Sequence, residues 1–140
     1  MTIRQLIKQI LLSATGVTLK HGVASWNNLA ADEVGAEAVF LVDPLKFNIT
    51  DTTFMRENYP IVMLFLRKTE LDASPAELEV VTEYTRQLAR AFITECRDST
   101  QLVKSITNIN AVEVLHLFDA GLSGHMLSFN LEPLNNGPAC

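Results

Sequence analysis

Long apolar runs are missing from this sequence. The longest, Ile61 to Leu66, has six residues, far short of the ~20 that a membrane-spanning helix needs. Cysteine is scarce: Cys96 and Cys140 are the only two, too few for a disulfide framework, and they read as free thiols of a reducing cytoplasm. Arg4 and Lys8 interrupt the apolar positions near the N-terminus, so no secretory leader is expected. Basic clusters are lacking as well. Eleven lysines and arginines are dispersed among sixteen acidic residues, for a net charge of −5. Nucleic-acid binders carry a basic stripe because releasing phosphate counterions drives their affinity, so tight DNA or RNA binding is not expected.

The motifs of common catalysis are absent too. There is no G-x-S-x-G elbow, no G-x-x-x-x-G-K-[ST] phosphate loop and no G-x-G-x-x-G turn. The histidines are His21, His116 and His125; the last two face each other across a possible hairpin, but no cysteine or carboxylate joins them at the spacing a zinc site requires. Cys96 falls on an apolar helical stripe and lacks an activating base, the pattern of packing material. No catalytic, cofactor-binding or metal-ligating residue is assigned, and no cofactor is expected.

What is present suffices for one domain. Apolar residues make up 48% of 140, and a chain of this size buries roughly 68–70% of its unfolded surface. Residues 1–134 are expected to form a single domain, with 135–140 a flexible tail. Thr2 and Gln5 have the form of a capping box, and Ile3, Leu6, Ile7, Ile10 and Leu11 recur at helical spacing up to a closing Gly16. Val17 to Lys20 suits a short strand, and Trp26 reads as a core plug. Ala38–Val42 and Ile61–Leu66 read as strands buried on both faces. Ser74, Pro75 and Glu77 announce a long helix over 75–97, with Leu78, Val81, Thr85, Leu88, Phe92 and Cys96 on its inward stripe. After a polar link, Val112–Phe118 and Leu127–Leu131 alternate as half-buried strands joined near Asp119-Ala120-Gly121. The order implies an α+β fold: a mainly antiparallel sheet, with the N-terminal helix and the long helix packed on one face.

Residues 45–55 demand an explanation. Leu45, Phe47 and Ile49 alternate with Lys46, Asn48 and Thr50, which extends strand periodicity past Pro44. A turn at Thr50–Thr53 places Ile49 opposite Phe54, and Pro44 and Pro60 mark where the hairpin leaves the sheet. If the hairpin projects, Leu45, Phe47, Ile49, Phe54 and Met55 lack a core of their own chain and are expected at a subunit interface; the alternative is that the arm folds back over the domain's own core.

With these elements in place, the layout resembles the tail-terminator and neck ring (head–tail connector) proteins of tailed bacteriophages. The likeness rests on the helix Ile3–Ala14, the runs Ala38–Pro44 and Tyr59–Leu66, the helix Pro75–Arg97 and the closing hairpin Val112–Leu131, above all the stretch Gly121–Leu131. It implies a non-enzymatic virion subunit, assembled in the host cytoplasm into a homo-oligomeric ring between portal and tail. Its partners would be copies of itself, the portal and adjacent neck or tail proteins, with DNA passing through but not specifically bound. The competing readings are a small cytoplasmic protein-binding or regulatory module that uses the same hairpin, and an enzyme or carrier with a pocket between sheet and helix.

Overall fold

The chain begins on a helix that caps itself. In a computed structural model, which describes residues 2–21, 37–42, 45–69, 72–117 and 121–134, α1 spans Ile3–Thr15. The Thr2 hydroxyl accepts from the Gln5 N–H at 3.2 Å, and Gln5 Oε1 accepts from the Thr2 N–H at 2.8 Å. Gly16, with φ at +76°, ends the helix in the left-handed conformation. The expected reciprocal cap is therefore formed. Trp26, Pro44, Phe118 and Cys140, and the tail 135–140, lie outside the described residues.

Next come β1 (Leu19–His21), β2 (Glu37–Leu41), β3 (Asn48–Asp51) and β4 (Arg56–Lys68). Helix α2 (Pro75–Asp98) precedes β5 (Val103–Leu117) and β6 (Leu122–Pro133). One sheet holds the strands in the order β1-β2-β4-β6-β5, with β3 paired to β4 off that path. Among the described strands only β1 and β2 run parallel, and the other pairs are antiparallel. The α+β architecture, with both helices packed on one core, is thus what the pattern of elements implies.

That core lies between one face of the sheet and the helices. Leu6, Ile7, Ile10 and Leu11 of α1 meet Ala89, Phe92 and Cys96 of α2 over Met63, Phe65, Leu127 and Phe129. Phe92 stands between two other rings, 6.1 Å from Phe65 and 5.8 Å from Phe129 between centroids. Ala38, Phe40, Leu64, Leu66 and Leu122 form a second buried cluster. Strands β2 and β4 are thus covered on both faces, which is why their sequences read as unbroken apolar runs.

Two boundaries differ from expectation. The inward stripe of α2 is Thr82, Thr85, Ala89, Phe92 and Cys96, whereas Leu78, Val81 and Leu88 are only half-buried. Small residues on the stripe let the helix come close: a Cβ at Gly124 of β6 would stand 2.9 Å from the Thr85 methyl and far inside contact with the Phe65 carbonyl. At the start of α2 the Ser74 hydroxyl accepts from the Glu77 N–H at 3.2 Å, the serine half of the anticipated box. The other difference is β5, which begins at Val103, so most of the expected polar link is strand. Thr107 through Glu113 are exposed on both faces. A strand at a sheet edge, covered by nothing, needs no apolar alternation, and its ladder to β6 is interrupted by three register shifts. Val112, expected to point inward, is 56% exposed.

Candidate functional site

Catalytic chemistry finds little support among the described side chains. Burial, with Glu95 nearby, pushes the Cys96 thiol up to about 12, so it stays protonated at neutral pH and is a poor nucleophile. His125 Nδ1 lies 2.9 Å from the Thr85 hydroxyl. That hydroxyl donates to the Thr82 carbonyl at 3.0 Å, which leaves it to accept a proton from Nδ1. Burial holds His125 below its usual value, against the pull of Glu113. It is a neutral structural histidine facing Glu113 across the ladder; the His116 side chain lies outside the described set. Among the described residues, no three His, Cys, Asp or Glu side chains gather as a metal group, and no helix is long and apolar enough to cross a membrane.

The hairpin β3–β4 holds the features that need a partner. Its turn is Thr52–Met55, two residues later than expected, so Ile49 stands opposite Glu57 rather than Phe54, and Asp51 opposite Arg56. Asp51 sets this turn: one carboxylate oxygen accepts from the N–H groups of Thr53 at 2.9 Å and Phe54 at 3.4 Å. Residues 45–47 are not strand. Leu45 is a correction to the expected interface, because its half-buried side chain packs against the main core. The other four are exposed: Phe47 54%, Ile49 45%, Phe54 58% and Met55 48%. Phe47 leans on Tyr59, with centroids 5.9 Å apart, and Tyr59 packs on the main core in turn. The inner row of the sheet therefore continues past the reach of both helices and runs out of cover.

Strain and an unmet hydrogen bond accompany that exposure. Met55 has φ at +52°, a conformation that costs a side-chain-bearing residue of order 1 kcal/mol or more. At the hairpin base, Asn58 Oδ1 is buried and accepts no hydrogen bond from a described residue. The base is nonetheless held firmly. Arg56 reaches Glu132 of β6 through Nη2 at 2.7 Å and Nε at 2.8 Å, and Ser105 donates to the same carboxylate at 3.4 Å. Tyr59 donates to Glu57 at 2.6 Å, and burial together with that carboxylate raises the phenol to about 12. None of this polar clamp was singled out by sequence reasoning; Arg56 and Glu132 are far apart in the chain and meet only through the β4–β6 register.

A second surface lies across the sheet from this hairpin, in the gap between α2 and the uncovered middle of β5. Ala89, Ile93, Ile109, Ala111 and Leu127 floor a groove of about 400 Å³, with Arg86 and Arg90 at its edge. Arg86 is engaged by Glu83 at 3.0 Å, whereas Arg90 forms no salt bridge with a described residue. The groove lies between α2 and the exposed residues Ile109 and Ala111 in the middle of β5. In the sequence its β5 half was hidden inside the supposed polar link. No protein-family model matches the chain, and comparison with curated proteins gives no match.

Proposed function

We propose that this protein is a structural subunit of a tailed-phage virion, forming a homo-oligomeric ring in the neck or tail that joins portal to tail and lets DNA pass. The observation that carries the reading is the hairpin: four exposed apolar side chains, a strained Met55 and an orphaned Asn58 carbonyl, all on a base clamped by Arg56 and Glu132. Folded proteins concentrate such local conflicts at functional sites, where a partner resolves them. A clamped hairpin loses little freedom on docking, which favours its use as an assembly element. The resemblance of the layout to phage ring proteins suggests the kind of assembly, and a head-to-tail contact between unlike surfaces is what cyclic rings use. The dispersed basic residues suit a subunit past which DNA slides rather than one that grips it.

Native mass spectrometry of the purified protein, followed by electron microscopy of the particles, tests this directly. The expected result is one closed ring stoichiometry with a central opening. A species that stays monomeric or dimeric at every concentration, alone and with phage neck components, would assign the hairpin to a binding module instead.

A further inference from the structure

A ring built from one kind of subunit needs two different complementary surfaces on each copy. The hairpin tip is a ridge with Phe54 and Met55 outermost, and the α2–β5 groove is a concavity floored by Ala89, Ile93, Ile109, Ala111 and Leu127. We infer that the hairpin tip of one subunit seats in the α2–β5 groove of a second copy, an assignment that rests on the ring reading above and names its interface.

Three observations on the two surfaces support this pairing. The first is shape and polarity: a groove of about 400 Å³ with an apolar floor suits a pair of large apolar side chains. Ile109 at this groove is 44% exposed.

The second is charge. Within residues 48–55 the only charged side chain is Asp51. At the groove, Glu83 and Arg86 neutralise one another, and together with Glu113 they surround His125 at one end. One turn further along α2, Arg90 forms no salt bridge with a described residue, and its charge reaches only as far as Glu83 without a direct contact. An Asp51–Arg90 contact fixes which way the tip lies, because the other end of the groove carries the Glu113 carboxylate beyond the Glu83–Arg86 pair and would repel Asp51.

The third is separation. The hairpin leaves the sheet beside Leu131, where β6 pairs with Tyr59, whereas the groove is built on Leu127 and His125. Arg56 and Glu132 hold the hairpin base at its own end of the sheet. A chain so clamped cannot fold its tip back into its own groove, so the occupant comes from another copy.

The test uses full-length protein with Cys140→Ser, leaving the buried Cys96 in place. One batch carries Thr53→Cys in the turn, and another carries Thr94→Cys on the groove wall. If the tip enters the neighbour's groove, mild oxidation of the mixture gives a reducible heterologous dimer on a denaturing gel, and neither batch alone does. Arg90→Glu, on an exposed helix face, is expected to raise the concentration needed for assembly about tenfold while leaving the melting curve in place. Rings that form without the Thr53–Thr94 link, rings linked Thr53 to Thr53, or an unchanged assembly midpoint for Arg90→Glu overturn this interface and leave the ring reading standing. Protein that forms no oligomer overturns the ring reading, and this inference with it.

Discussion

The two halves of strand β4 sit in opposite environments. From Ile61 to Leu66 the strand is covered on both faces, by the helices and by the second apolar cluster, with β2 and β6 on its edges. From Arg56 to Asn58 the same strand pairs with β3, and the apolar side chains of the hairpin face solvent. In the first half every feature agrees with the fold: aromatic packing, small residues where helix meets sheet, satisfied caps. In the second half local rules are broken repeatedly, at Met55, at Asn58 and at four exposed apolar positions. A continuous strand thus carries stability at one end and binding capacity at the other.

The comparison is broken most forcefully in the core. Phe92→Asp places a carboxylate at a fully buried position between Phe65 and Phe129, removing the ring and adding an unpaired charge. The cost is expected at about 5 kcal/mol or more, comparable with the total stability of a domain, so circular dichroism should show an unfolded chain. Leu88→Asp, at a half-buried position beside the stripe, is expected to melt cooperatively with a loss of about 1–3 kcal/mol. Equal effects at the two sites would return the buried face of α2 to the one drawn from large apolar residues.

That difference shows what was legible in the sequence. Caps and apolar runs were read well, since Thr2, Gln5, Gly16 and Ser74 act locally and Ile61–Leu66 reports burial directly. The α2 stripe was displaced because Thr82 and Ala89, small residues on its buried face, carry little hydropathic signal. Strand β5 was missed over Val103–Ala111 because only Val103 and Ile106 reach the core, and Thr107–Ala111 are exposed and held by the backbone ladder, not by alternation. The hairpin was seen, and its turn misplaced, because Asp51 fixes the turn through side-chain bonds that strand periodicity does not encode. Leu45 was assigned to a partner because nothing local distinguishes the last covered residue of a row from the first uncovered one.

At the hairpin the expected effect is smaller on folding and large on assembly. Phe47→Ser with Phe54→Ser removes exposed rings, so the monomer should keep its helix content and melt near the wild-type temperature. Aromatic anchors at an interface often contribute 2 kcal/mol or more each, enough to abolish assembly at ordinary concentrations. A sharp fall in melting temperature would mean that the hairpin is part of its own chain's core after all.

Mild acid should weaken the covered half. His125 is held neutral by burial, so its folded value lies below the 6.5 of a free histidine. The unfolded chain then binds the proton first. The stabilising contribution is complete above 6.5 and is lost as pH falls from there through the lowered folded value. Melting temperatures measured across this window should decline more steeply for the wild type than for His125→Gln, which removes the titrating group. Parallel curves would show that the buried histidine does not couple folding to pH.

The smallest change discriminates most sharply. Met55 occupies a left-handed conformation at φ +52°, where glycine is the residue with least strain. Met55→Gly is therefore expected to stabilise the monomer by about 1 kcal/mol, since the relief of strain exceeds the added freedom of the unfolded chain. The side chain is 48% exposed, so little packing within the subunit is lost. If methionine is kept there for docking, the same substitution should weaken ring formation while it raises the melting temperature. Opposite signs in the two measurements, thermal melts of the monomer and native mass spectra of the assembly, are expected from a residue that serves the interface at the fold's expense. A variant more stable and equally able to assemble would remove Met55 from the interface and leave Phe47, Ile49 and Phe54 to carry it. A variant less stable would show that the methionine side chain supports the turn itself, and the strain at the tip would then have no bearing on assembly.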